Sequence, residues 1–267
     1  MKLCSQQFLS TFASLARLQM PAGGEPADDA RQLAQKLGPQ ATISLAQQAA
    51  LLMVDQAEEQ TEARVHDEYL RAKPAGEQVL GPWRQLQAIA GTDLPEPRIS
   101  DSPALDLGAQ AGNQVFLEES ALQSQLSDPA ELTFLMAHEM GHVVHRDSVR
   151  RAGSKLAVAL FSPALEGLGE AQQQNARRME LEADEFAAGL MKPMNCDSRP
   201  ILARLLNTST GHDHPDGLAR AEVVRGYLPV ADETWQELLQ KTSKSRAASQ
   251  AFEEEQIQLR QMMLLMR

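Results

Sequence analysis

The run His138-Glu139-Met140-Gly141-His142 sets two imidazoles and a carboxylate at a spacing that can do chemistry. Four residues span a little over one helical turn, so on an α-helix both histidines project from one face. Two neutral imidazole nitrogens there can take two corners of a tetrahedral zinc site. Glu139 beside them can act on a water at the metal as general base. The implied chemistry is hydrolysis by a metal-activated water. A solvated helix could carry the same pattern by chance. Here Leu132, Leu135, Met136 and Met140 surround it with an apolar face, which fits a buried site better.

Zinc that keeps an open position for water needs a third protein ligand. Glu180 is the candidate: it follows His142 by 38 residues, enough chain to turn and lay a second helix alongside. That helix is expected from Gln172 to Leu190. Asp184, four residues after Glu180, shares its face and can accept a hydrogen bond from the non-ligating N–H of a zinc histidine, fixing the tautomer. Gly141, Ala183 and Ala187 are small enough for close helix packing. Glu182 and Glu185 read as solvated charges, His66 as a surface histidine, and His145 as pointing off the shared face.

These residues need elements to hold them. Ser127-Asp128-Pro129 is a good start for the histidine-bearing helix, a capping side chain followed by proline in the first turn. Upstream, Phe8, Leu9, Phe12, Leu15 and Leu18 mark a short amphipathic helix over residues 1–20. A long helical region over 28–73 is broken at Gly38-Pro39. A further helix presents Trp83, Leu86 and Ile89. The first 90 residues thus read as a helical layer over the catalytic part. From Gly91 onward Pro95, Pro97 and Pro103 forbid a long helix. Arg98-Ile99-Ser100 and Val115-Phe116-Leu117 are expected as two short strands, joined by a glycine-containing loop, in a small sheet beside the metal helix. An edge strand there could receive an extended peptide, or only pack. The apolar stretch Lys155 to Leu168, interrupted by Pro163, suits a buried helix, a lid or a partner surface. The fold class is mainly α with a small β-sheet, an α+β arrangement, with a catalytic domain over 91–228 and a helical tail over 229–267. In that tail Trp235, Leu238 and Leu239 begin a helix. The Met-rich end from Phe252 to Leu265 suits core packing or a helical partner.

Composition excludes several classes. The 267 residues are 43% apolar with a net charge of −11, which gives no nucleic-acid footprint and no basic membrane-surface patch. No run approaches the roughly 18 apolar residues of a membrane span, so no integral membrane segment is expected. Met1 to Phe8 lack a continuous apolar core and make a poor secretory leader. The expected location is cytoplasmic, the alternative being a periplasmic mature form without its leader. Two cysteines, Cys4 and Cys196, cannot build a disulfide framework, although a single bridge is allowed.

His138-Glu139-x-x-His142 followed by Glu180-x-x-Ala183-Asp184 resembles the gluzincin metallopeptidases of the HtpX, Oma and CAAX-prenyl-protease type, family forty-eight of the metallopeptidases. Ala137 and Gly141-His142-Val143 agree with that pattern. His214-Pro215, with Arg220 six residues after His214, resembles a further segment of the family's periplasmic, membrane-free branch. The resemblance implies a zincin-like domain in which His138, His142 and Glu180 bind one Zn2+ ion and Glu139 is the catalytic base. It places Asp184 behind the ligands, and His214 and Arg220 near the cleft. Asp147 stands where the family often has histidine, at a position that is not a ligand. Ala109-Gln110-Ala111-Gly112-Asn113 is a loose version of the family's strand approach. The transmembrane helices of the HtpX and prenyl-protease branches are absent, which argues against CAAX processing.

The expected function is a zinc-dependent endopeptidase acting on a polypeptide, with a place in protein quality control. His214 is the candidate donor to the oxyanion, or else stabilises the turn at Pro215. Arg220 is expected to orient a carboxylate or carbonyl, and His212 could cover the resting metal. Two rivals remain: a chaperone-like or binding module with a latent or regulated zinc site, and a zinc hydrolase of non-peptide amides.

Overall fold

The computed structural model describes residues 5–17, 26–100, 108–110, 114–118, 122, 128–208, 215–245 and 247. Its elements in chain order are α1 (Ser5–Arg17), α2 (Pro26–Arg71), β1 (Lys73–Pro74), α3 (Glu77–Ala90), β2 (Arg98–Ser100), β3 (Gly108–Gln110) and β4 (Gln114–Glu118). There follow α4 (Pro129–Val144), α5 (Asp147–Phe161), α6 (Leu168–Met191), a 3-10 turn (Lys192–Met194), α7 (Arg199–Asn207), α8 (Gly217–Tyr227) and α9 over 232–245. The protein is mainly α, with one small sheet among the described residues. Among the described residues no helix is long and apolar enough to cross a membrane.

The expected break in α2 falls at Gly38, whose φ of 76° lies in the left-handed region that suits glycine. Pro39 then removes a helical donor, and Thr42 Oγ1 donates to the Ala34 and Gly38 carbonyls at 3.2 and 2.8 Å, satisfying acceptors at the break. Phe8 and Phe12 of α1 are fully buried and join Ile43, Ala46, Ala49 and Met53 of α2 in a first core. The stretch that allowed a buried helix, a lid or a partner surface closes this core. Ala157 and Phe161 of α5 are buried in it, and Phe161 lies 5.0 Å from Phe12 between ring centroids. Helix α5 ends at Phe161 and the chain turns through Gly167 at φ 80°.

A second core gathers α3, β4, α4, α6, α7 and α8. In α3 the buried residues are Val79, Trp83 and Leu86; Ile89, expected on that face, is 39% exposed because it lies at its margin. Trp235, at the start of the tail, is buried in this same core with Leu238 and Leu239 packed against it. The Met-rich end beyond lies outside the described residues.

The sheet runs β1-β2-β4-β3. The two expected strands are neighbours, but they pair in parallel, with Ile99 opposite Leu117. Parallel neighbours cannot be joined by a tight loop, and the intervening chain supplies β3, which pairs antiparallel with the other side of β4. β3 is therefore an edge strand, and it packs beside α4.

Helices α4 and α6 meet almost backbone to backbone. A Cβ added to Gly141 would lie 3.2 Å from Ala183 Cα and 3.2 Å from Phe186 Cδ1. Gly141→Ala should therefore push the helices apart and cost about 1–3 kcal/mol. Thermal unfolding of the variant checks this, and an unchanged Tm would show that the contact is not tight.

Candidate metal centre

Helix α4 begins as its sequence dictates. Asp128 Oδ1 accepts from the Ala130 N–H at 2.7 Å, Pro129 occupies the first turn, and Leu132, Phe134, Met136 and Met140 are buried below it. This apolar anchorage carries His138, Glu139 and His142 into the interior, at 5%, 6% and 9% exposure. α4 stops at Val144. Arg146 then adopts φ 56°, a left-handed conformation uncommon outside glycine, and α5 starts at once. His145 turns away from the centre, with its ring edge-on to Phe186 at 5.6 Å. From α6, Glu180 enters the same space with only 3% of its surface exposed.

Three side chains converge, with both oxygens of Glu180 facing the imidazole nitrogens. His138 Nε2 and His142 Nε2 are 3.1 Å apart, His138 Nε2 lies 3.5 Å from Glu180 Oε2, and His142 Nε2 lies 3.5 Å from Glu180 Oε1. Metal–ligand bonds of about 2.0–2.1 Å in a tetrahedron put ligand atoms about 3.3 Å apart. The spacing, and the set of two imidazoles with one carboxylate, fit a zinc-sized cation, and these three residues could hold one.

Behind them stands a ring of charges. Asp184 Oδ1 is 2.9 Å from His138 Nδ1, although the nitrogen is not aligned for a good hydrogen bond, so the contact is a close charge pair. Arg220 Nε and Nη2 donate to the two oxygens of Asp184 at 2.7 and 2.8 Å. The Arg220 fork, expected to orient a carboxylate or carbonyl, is thus engaged by a carboxylate of this chain. His142 Nδ1 lies 2.7 Å from Asp147 Oδ2, while Arg150 Nη1 donates to Asp147 Oδ1 at 2.7 Å and to Glu182 Oε2 at 2.8 Å.

Asp147 is one residue that sequence reasoning missed. It sits five positions past His142, beyond the end of the helix, and only the left-handed turn at Arg146 swings it back. The one available signal was an acidic residue in place of the family's histidine. Glu182, read as a solvated charge, instead holds Arg150. His212, His214 and Cys4 lie outside the described residues; Pro215 and Asp216 lead into α8, whose first turn carries Arg220.

The ring also sets protonation. Burial opposes a charge on His138, but Asp184 and Glu180 outweigh it and raise its pKa from 6.5 to about 10. Burial likewise opposes the charge of Glu180, yet His138, with His142 and Arg151, holds that carboxyl well below its usual range. Asp184 is lowered against its burial by Arg220 and His138. Without metal, these contacts favour the protonated form of His138, paired with Asp184 and Glu180. A histidine raised in the folded state stabilises fully below its unfolded pKa and loses that contribution as pH rises through the folded value. The depressed carboxylates contribute above the ordinary carboxylate range and lose their effect as pH falls. The Tm of metal-free protein should accordingly decline between about pH 6.5 and 10; a flat or rising Tm over that window would contradict the ion pair.

Comparison with known proteins agrees with this geometry. The family model described as Peptidase family M48 matches residues 89–228, just over half of the chain, and covers α4, Glu180 and Arg220. No curated protein and no solved structure matches the chain. A buried two-histidine, one-glutamate cluster inside that match leads to one conclusion: the chain belongs to peptidase family M48, a family of metal-dependent peptidases.

Proposed function

We propose that the protein is a zinc metalloendopeptidase that cleaves polypeptides, with its catalytic unit over 91–228. The observation that carries this reading is the convergence of His138 Nε2, His142 Nε2 and Glu180 within 3.5 Å of one another, with Glu139 on the same helix. Zinc, when bound, would supply Lewis acidity and bring the pKa of a bound water towards about 7.

The chain's own residues do the rest. His138, His142 and Glu180 hold the ion, and Asp147 and Asp184 steady the two imidazoles through the nitrogens that face away from it. Arg220 keeps Asp184 ionised and in place. Glu139 takes the proton of the attacking water and returns it to the departing amine. His214, just ahead of Pro215 and α8, is the proposed donor to the developing oxyanion. The edge strand β3, beside α4, offers backbone groups that an extended substrate can pair with. Protein quality control is the proposed setting.

The depth of the cluster also favours a second reading, in which the centre is latent until a covering element moves. Casein cleavage by the full-length protein, abolished by a chelator and restored by zinc, separates an active peptidase from a latent one.

Two substitutions test the roles. Glu139→Gln should retain about one zinc per chain and lose at least about 100-fold in kcat, the scale of general-base catalysis; a variant with near-normal turnover removes Glu139 as base. Glu180→Ala should fail to retain zinc through dialysis, because two imidazoles alone make a weak site. Stoichiometric metal in that variant would mean that another ligand replaces it.

A further inference from the structure

Glu180 meets more than the two imidazoles. From the first half of α5 Arg151 reaches across to it, and its Nη2 lies 2.5 Å from Glu180 Oε1. The Arg151 side chain is 39% exposed, while that of Glu180 is 4% exposed, so the guanidinium enters from the solvent side and ends on the buried carboxylate. We propose that Arg151 is a positioning residue that restricts Glu180 to ligating the metal through one oxygen, thereby keeping a coordination position open. This rests on the zinc centre proposed above.

A carboxylate that is free to turn can offer both oxygens to zinc and fill the place that a catalytic site reserves for water. A charge-assisted hydrogen bond to Oε1 opposes that rotation. Both oxygens face the site, Oε1 3.5 Å from His142 Nε2 and Oε2 3.5 Å from His138 Nε2, and with Oε1 engaged by Arg151, Oε2 is the oxygen left free for the ion. Arg151 also draws charge from the ligand, which would make a bound ion a stronger Lewis acid.

Helix α5 is anchored well enough to impose this. A Cβ on Gly153 would lie 2.7 Å from both Ala46 O and Ala50 Cβ, so α5 and α2 touch at the backbone. Gln47 Nε2 donates to Ser154 Oγ at 2.9 Å, and Ser154 Oγ donates to the Arg150 carbonyl at 3.0 Å, between the two functional side chains of the helix. Those side chains grip one ligand from each metal helix: Asp147 holds His142 from α4, and Arg151 holds Glu180 from α6.

Cobalt substitution reads the coordination directly, because four-coordinate Co2+ absorbs visible light more strongly than five-coordinate Co2+. The parent protein should show the intense four-coordinate spectrum. Arg151→Gln and Arg151→Ala should each show a weaker, shifted spectrum. They should also show about a 10–100-fold loss in metal affinity by chelator competition or in kcat, with the acid limb of the pH–rate profile moved to higher pH. Arg151→Lys, which keeps the charge without the planar fork, should recover part of the intensity. Parental spectra, affinity and pH profile in both the Gln and Ala variants would overturn the assignment. A parent that takes up no cobalt would instead remove the metal centre, and this inference with it.

Discussion

Three ligating side chains can be buried within 3.5 Å of one another only where two helices come close enough to share them. In this protein the condition is met by the near contact of Gly141 with Ala183, one residue before His142 and three after Glu180. Almost every other feature follows from that constraint. The apolar side of α4 holds the histidines in place, α7 and α8 pack around the pair, and Gly153 allows α5 to lie against α2 while its first residues reach the centre.

Burial of so many polar groups raises an electrostatic problem, and the arrangement of arginines and acids solves it. An isolated buried charge costs several kcal/mol, so each must be paired. Asp184 is matched by Arg220 and His138, Asp147 by Arg150 and His142, and Glu180 by Arg151 and the two imidazoles. The same contacts point each group towards the common centre. With no cation, Asp184 and Glu180 favour a positive charge on His138. A metal would take over that role and release the proton.

Much of this was legible in the sequence. The His-Glu-x-x-His spacing, the Asp128-Pro129 helix start and the shared face of Glu180 and Asp184 are local or periodic signals, and they survive folding unchanged. The small residues at 141 and 183 were equally readable, because only close packing explains them beside a buried motif. What could not be read depends on chain direction after a turn. Asp147 and Arg151 become part of the site only because Arg146 adopts a left-handed conformation, which nothing in its residue type announces. The sheet was half legible for a related reason: strand propensity identified Arg98–Ser100 and Val115–Leu117, whereas their parallel pairing depends on where the intervening chain goes. Arg220 engages the carboxylate of Asp184, a partner inside the chain that its sequence position alone could not single out.

Two helices that share one cation are the proposed centre of this protein, and anomalous diffraction at the zinc edge from crystals of the zinc-loaded protein tests that sharing most directly. The expected result is a single strong peak within about 2.0–2.2 Å of His138 Nε2, His142 Nε2 and one oxygen of Glu180. A zinc peak elsewhere, or one bound to the two histidines with Glu180 turned away, would contradict it.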